Sequence, residues 1–161
     1  MCQMRFDRTD VRILAQLQRD ARVRANELAE RVGLSPSPFY RRIRLLEEEG
    51  IIEGYVTLLN QEKAGFPVSA YVQVAIEKKT EARLARFEAA IAKLDEVMEC
   101  NLMTGSFDYM LRVVAADIAG IERFVMTQLT TIEGVSDIST SLALRRVVYK
   151  TALPVREPSG S

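Results

Sequence analysis

Apolar residues recur at helical spacing over the first third of the chain. Ile13, Leu14, Leu17 and Ala21 form one stripe that predicts a first helix. Asp7 is placed to cap it, with Asp10 in its first turn. A shorter second helix is predicted near Asn26 to Val32, with Leu28, Ala29 and Val32 inward and Gly33 at its end. The third helix is announced by Ser35 as N-cap and Pro36 at the first helical position, where a missing N–H costs nothing. Pro38 still lies within the first turn. Phe39, Ile43 and Leu46 follow at i, i+4 and i+7 and face inward. Glu47, Glu48 and Glu49 close this helix against its own dipole, and Gly50 suits the left-handed position beyond it.

Period-two patterning then takes over. Ile51-Ile52 and Tyr55 to Leu59 read as a strand or connecting ribbon, and Gln61 to Pro67 as a boundary. Val68, Ala70, Val72, Val74 and Ile76 share one face of a strand. Leu84, Phe87 and Ile91 mark a helix, Val97 to Met103 a strand, and Tyr109 to Ala115 another after a turn at Thr104 to Asp108. Asp117 is placed to cap a helix carrying Ile121, Phe124, Val125, Leu129 and Ile132, which Gly134 ends. A long last strand is predicted from Val135 to Lys150, and a flexible tail after it. The order β-α-β-β-α-β is that of a ferredoxin-like sandwich. Helices cover one sheet face, and the other needs a partner, for which sheet-on-sheet dimerisation is the natural solution.

Composition narrows the chemistry. The 161 residues contain no histidine, which removes the usual general base and the commonest transition-metal ligand. Neither a metal nor a cofactor is expected. Cys2 and Cys100 make no disulfide framework; Cys100 and Met98 read as packing residues and Cys2 as a terminal thiol without a role. No apolar run is long enough to span a membrane, and the first residues lack the core of a signal peptide, so a cytoplasmic protein is expected. Lys plus Arg and Asp plus Glu both total 22, yet the charges are not mixed evenly. Between Ala21 and Leu46 stand Arg22, Arg24, Arg31, Arg41, Arg42 and Arg44 against only Glu27 and Glu30. Such a run suits phosphates and guanine edges, and equally a solvated helical surface.

With Phe39, Ile43 and Leu46 inward, Ser37, Arg41 and Arg44 project together and Arg42 lies on one flank. That is the arrangement of a recognition helix, whose N-terminal residues meet base edges in the major groove. A three-helix packing unit without DNA is the plainer alternative. Tyr40 either packs beside Phe39 or stacks on sugar. In the turn Thr104-Gly105-Ser106-Phe107-Asp108, two hydroxyls, one carboxylate and a permissive glycine suit an amino acid's two charged groups, with Asp108 on the ammonium. A plain β-turn with a structural Asp is the alternative there.

Gly33-Leu34-Ser35-Pro36-Ser37-Pro38, with Arg41-Arg42-Ile43-Arg44 and Leu46-Glu47, resembles the recognition segment of the Lrp/AsnC (feast/famine) regulators. Glu99-Cys100 and Thr104 to Val113 resemble the signature of that family's C-terminal domain, so the resemblance runs from about Phe6 to Pro154. It implies an α+β chain: a three-helix winged helix-turn-helix over 5–60, with its helix-turn-helix segment at about 25–44, and a linker at 61–67. A ferredoxin-like βαββαβ (RAM-type) sensing and dimerisation domain over 68–152 and a flexible tail at 153–161 follow. It implies a sequence-specific transcriptional regulator rather than an enzyme, forming homodimers that assemble to octamers. Double-stranded DNA would be met by Ser35, Ser37, Arg41, Arg42, Arg44 and Arg24. An amino-acid effector would be held by Thr104, Gly105, Ser106, Phe107 and Asp108, helped by Ser139 and Thr140 on the last strand at a subunit interface.

This chain departs from the family pattern at three places. Arg24 stands where Ser or Thr often caps the second helix, Leu45 where a further Arg is common, and Ser106 where the loop often carries an acid. Two other readings remain: an architectural, chromatin-like DNA-binding protein without effector, and an enzyme like the siroheme decarboxylases, whose proposed catalytic histidines this chain lacks.

Overall fold

The computed structural model describes residues 7–156, so Cys2 and the end of the tail from 157 lie outside the described residues. The chain divides into two compact units, one of residues up to Thr57 together with those from Val148, the other Leu58–Val147.

The first unit holds α1 (Arg8–Leu17), α2 (Ala25–Val32) and α3 (Pro36–Glu48). A capping box starts α1: the Asp7 carboxylate accepts from the Thr9 and Asp10 amides, and the Asp10 carboxylate accepts from the Asp7 amide. Gly33, at φ 76°, ends α2 in the left-handed conformation that only glycine adopts without cost. Ile13, Leu14, Leu28, Ala29, Val32, Phe39 and Leu46 form the core, with Leu17, Val23 and Ile43 partly buried against it. Ala21, expected on the apolar stripe, lies past the end of α1 and is exposed, and Val23 packs there instead. Ser35 takes the N-cap position of α3 with extended backbone, but its hydroxyl makes no capping bond.

No strand forms over 51–59 among the described residues; that segment runs extended without a ladder partner. The expected flexible tail is also different. Leu153 exchanges two hydrogen bonds with the Gln18 side chain, and Val155 packs on the helical core.

The second unit has the expected β-α-β-β-α-β order: β1 (Val68–Ile76), α4 (Glu81–Ile91), β2 (Val97–Leu102), β3 (Tyr109–Ala115), α5 (Ile118–Arg123) and β4 (Val135–Leu142). The antiparallel sheet is ordered β2-β3-β1-β4. Val72 pairs with Leu111 on one side and Thr140 on the other, which sets all three on the helix-covered face. The core gathers Val72, Val74, Phe87, Leu111, Val113, Phe124 and Leu129. The opposite face carries Tyr71, Gln73, Met110 and Arg112, with Tyr71 exposed.

Three details depart from the expected elements. β4 ends at Leu142 rather than Lys150, and Leu144 and Val148 are exposed instead of continuing its apolar face. The helix after Asp117 passes at Phe124–Leu129 into a π-helical turn and stops before Ile132. Residues 61–67 form a turn belonging to the second unit, where Gln61 Nε2 donates to the Phe66 carbonyl and to Ser69 Oγ.

Candidate nucleic-acid interface and ligand loop

Burying Phe39 and Leu46 fixes the rotation of α3 and turns Ser37, Arg41 and Arg44 outward, all exposed. Ser35 and Arg24 are exposed at the starts of α3 and α2. Arg24 supplies no capping oxygen, so α2 starts without a side-chain cap. Tyr40 packs edge-on against Phe39, with ring centroids 5.9 Å apart, and is still half-exposed. Tyr55 gives its hydroxyl to Glu47 at 2.9 Å, which provides a role for one of the acids closing α3. Burial, then Glu47, pushes the Tyr55 phenol up to about 12.

Arg42, expected on one flank of α3, is ion-paired within its own unit. Its guanidinium lies 2.7 Å from Asp7 and 2.7 Å from Asp10, joining α3 to the first turn of α1. The hydrogen bond to Asp10 does most to hold its proton more tightly than usual, ahead of the bond to Asp7. The Asp10 amide lowers the Asp7 carboxyl most, and Arg42 lowers it further.

In the second unit, Thr104, Gly105 and Ser106 form the exposed tip of the β2–β3 hairpin, and Phe107 is half-buried. Gly105 has φ 125°, a conformation that requires glycine. Asp108 is the buried polar residue at the base of the turn. One carboxylate oxygen accepts from the Ile76 amide at 2.8 Å; the other pairs with the Lys79 ammonium at 2.6 Å. Lys79, then the Ile76 amide, holds this carboxyl below its ordinary value. Asp108 is thus engaged within its own unit, and an effector ammonium would have to displace Lys79.

Ser139 and Thr140 are not beside the turn. They lie on β4, paired with Gln73 and Val72, and β1 separates that strand from β3. Two strand spacings make this roughly 10 Å. Ser139 shares the open face with Gln73, and Thr140 the covered face with Val72.

Two features lay outside the sequence reading. Lys79 was concealed because a Lys-Lys pair after a strand carries no signal without the turn that aims it. The other feature is a cavity of about 320 Å³ between α4 and β2, lined by Ile91, Leu94, Met98, Cys100, Glu88 and Tyr109 among others. At its wall the Tyr109 hydroxyl donates to Glu88 at 2.7 Å, and burial raises the Cys100 thiol. A tyrosine at strand parity pairing with a carboxylate on a helix is invisible before the two elements pack. Among the described residues no helix is long and apolar enough to cross a membrane, and no acidic or thiol cluster suits a metal ion.

Known proteins provide an independent comparison. A family model described as the Lrp/AsnC ligand binding domain matches residues 69–153, and one described as winged helix-turn-helix DNA-binding matches residues 6–53. The chain is 44% identical over 150 residues to the Bkd operon transcriptional regulator of Pseudomonas aeruginosa, covering 93% of this chain and 98% of that protein. It is 35% identical over 151 residues to the leucine-responsive regulatory protein of Salmonella typhimurium, covering 94% and 92%. Among solved structures, a transcriptional regulator in complex with L-Met from Neisseria meningitidis superposes with a TM-score of 0.88 at 37% identity, over 92% of this chain and 96% of that one.

Proposed function

The chain belongs to the Lrp/AsnC family of transcriptional regulators, and from that membership we propose which residues meet DNA and which ligand it senses. Ser37, Arg41 and Arg44 on α3 enter the major groove, with Ser35 and Arg24 against the phosphates. Arg42 shapes this surface from behind through Asp7 and Asp10. The observation that carries the assignment is the exposure of Arg41 and Arg44 on a helix whose rotation is fixed by the buried Phe39 and Leu46.

The protein works in the cytoplasm as a homodimer that assembles to an octamer. Paired heads then reach half-sites about one helical turn apart, ~34 Å, or a multiple of it. The exposed sheet face bearing Tyr71 and Met110 is the surface that supports dimerisation. A small amino acid binds at Thr104, Gly105, Ser106 and Phe107, with Ser139 and Thr140 supplied by a second subunit, and alters assembly or DNA affinity. Support comes from relatives named for leucine response and for an L-Met complex.

Binding isotherms on a specific and a random duplex, at several salt concentrations, test the DNA surface. Losing a base contact at Arg41 or Arg44 costs about 1–3 kcal/mol on the specific duplex only. Losing a phosphate contact weakens both duplexes and flattens the salt dependence. Unchanged binding by the Arg41→Ala, Arg44→Ala double variant would overturn the assignment.

A further inference from the structure

The connection between β1 and α4 is short and fastened along its length. The Glu77 amide donates to the Gly134 carbonyl, and the Glu77 carbonyl accepts from Arg83. Lys78 has φ 52°, an uncommon value for a residue with a Cβ. Its carbonyl accepts from the Thr80 amide at 2.6 Å across a tight turn, and Thr80 in turn caps α4. Between these fixed points stands Lys79. Strained backbone held by its surroundings on both sides is a reason to ask what the held side chain does.

Lys79 reaches Asp108 at the base of the Thr104–Asp108 turn. The two partners differ in exposure: the Asp108 side chain is 9% exposed and that of Lys79 is 61% exposed. Asp108 has both oxygens engaged, one by Lys79 and one by the Ile76 amide. An ammonium carries three N–H donors, and Asp108 takes one of them on its buried side. The remaining donors point away from the carboxylate, in a side chain largely open to solvent beside the loop.

We infer that Lys79 recognises the carboxylate of the amino-acid effector, and that Asp108 is a positioning residue that holds Lys79 in place. The inference rests on the reading of Thr104–Asp108 as the effector loop and reverses the polarity expected there. A carboxylate arriving at Lys79 gains a charge-assisted hydrogen bond from a cation already fixed in position. The Thr104 and Ser106 hydroxyls lie on the same turn as further donors. An arriving ammonium finds only a carboxylate whose oxygens are in use, and it must also approach the Lys79 charge. Glu77 and Glu81 flank Lys79 on its own connection; Glu77 is drawn toward Arg83, 3.8 Å away.

The test uses the full-length protein, with calorimetry and thermal shift as readouts. The probes are L-leucine, L-methionine, 4-methylpentanoate, which lacks the amine of leucine, and 3-methylbutylamine, which lacks its carboxylate. Lys79→Met is expected to weaken amino-acid binding by roughly tenfold or more, and Lys79→Arg to restore most of it. The wild-type protein is expected to take 4-methylpentanoate in preference to 3-methylbutylamine, and Asp108→Asn to weaken binding while keeping that preference. Wild-type affinity in Lys79→Met, with leucine or methionine still bound, overturns this inference and leaves the sensor reading standing. A wild-type preference for the amine overturns it as well. If none of the proteinogenic amino acids binds the wild-type protein, the sensor reading itself fails and the inference falls with it.

Discussion

The Arg42 guanidinium lies 2.7 Å from the Asp10 carboxylate, so the helix that presents Arg41 and Arg44 is fastened to the first turn of another helix. Arg42 is 29% exposed and Asp10 16%, which makes the pair partly desolvated. Arg42 therefore differs in kind from its two neighbours.

Arg42→Ala is expected to lower the stability of the N-terminal unit by about 1–2 kcal/mol, more than an exposed pair would cost. DNA affinity should fall with it while the slope of affinity against salt is retained. Arg41→Ala should leave stability unchanged and alter DNA binding alone. Urea denaturation alongside salt-dependent binding separates the two; equal stability in both variants would remove the structural role of Arg42.

Acid should loosen the same unit. The Asp7 carboxyl is held below its ordinary value of 3.8 by the Asp10 amide and then by Arg42. A lowered native value means the unfolded chain binds protons first as pH falls. The stabilisation is complete above the ordinary value and is lost as the pH drops through the lowered one. Asp7→Asn should lower the melting temperature at neutral pH, where the ionised Asp7 pairs with Arg42, and should flatten its fall below about pH 4.

Asp108→Ala should destabilise the second unit by about 2–4 kcal/mol, because it leaves the Ile76 amide without its acceptor and Lys79 without its partner. Asp108→Asn keeps one acceptor oxygen and should cost less. Chemical denaturation at neutral pH measures both. Near-wild-type stability of the alanine variant would show that these two bonds carry little weight.

Tyr71 is 45% exposed on the sheet face opposite the helices, beside Arg112 of β3 and Ser141 of β4. If that face joins two subunits, Tyr71→Asp buries an unpaired charge at the junction and should reduce the species seen by light scattering to a smaller one. An unchanged mass would place the dimer contact elsewhere.

Elements with a local cause were readable from the chain. The Phe39, Ile43 and Leu46 spacing, the Pro36 start and the Gly33 stop give α2 and α3 almost as they stand. Alternation with turn residues gives β3 as it stands and β1 to within a residue of its end. What escaped was set by partners distant in sequence. The last strand ends at Leu142, where its β1 partner is Ala70, although its own pattern continues apolar. Residues 55–59 have strand composition and no strand beside them. The site residues divide in the same way. Exposure of Arg41 and Arg44 follows from helix periodicity, whereas the ties of Arg42 and Asp108 depend on Asp7, Asp10, Ile76 and Lys79, each from another element.

Arg42 is tied to Asp7 and Asp10 while Arg41 and Arg44 face outward, so the fold and the proposed address are written in different letters of the same helix. If Ser37, Arg41 and Arg44 meet DNA as proposed, substitutions at those positions retarget the head to new operators while the Arg42 ion pair stays in place. A regulator built in this way can be duplicated and its copies can drift apart in the promoters they read, while each still folds from the outset.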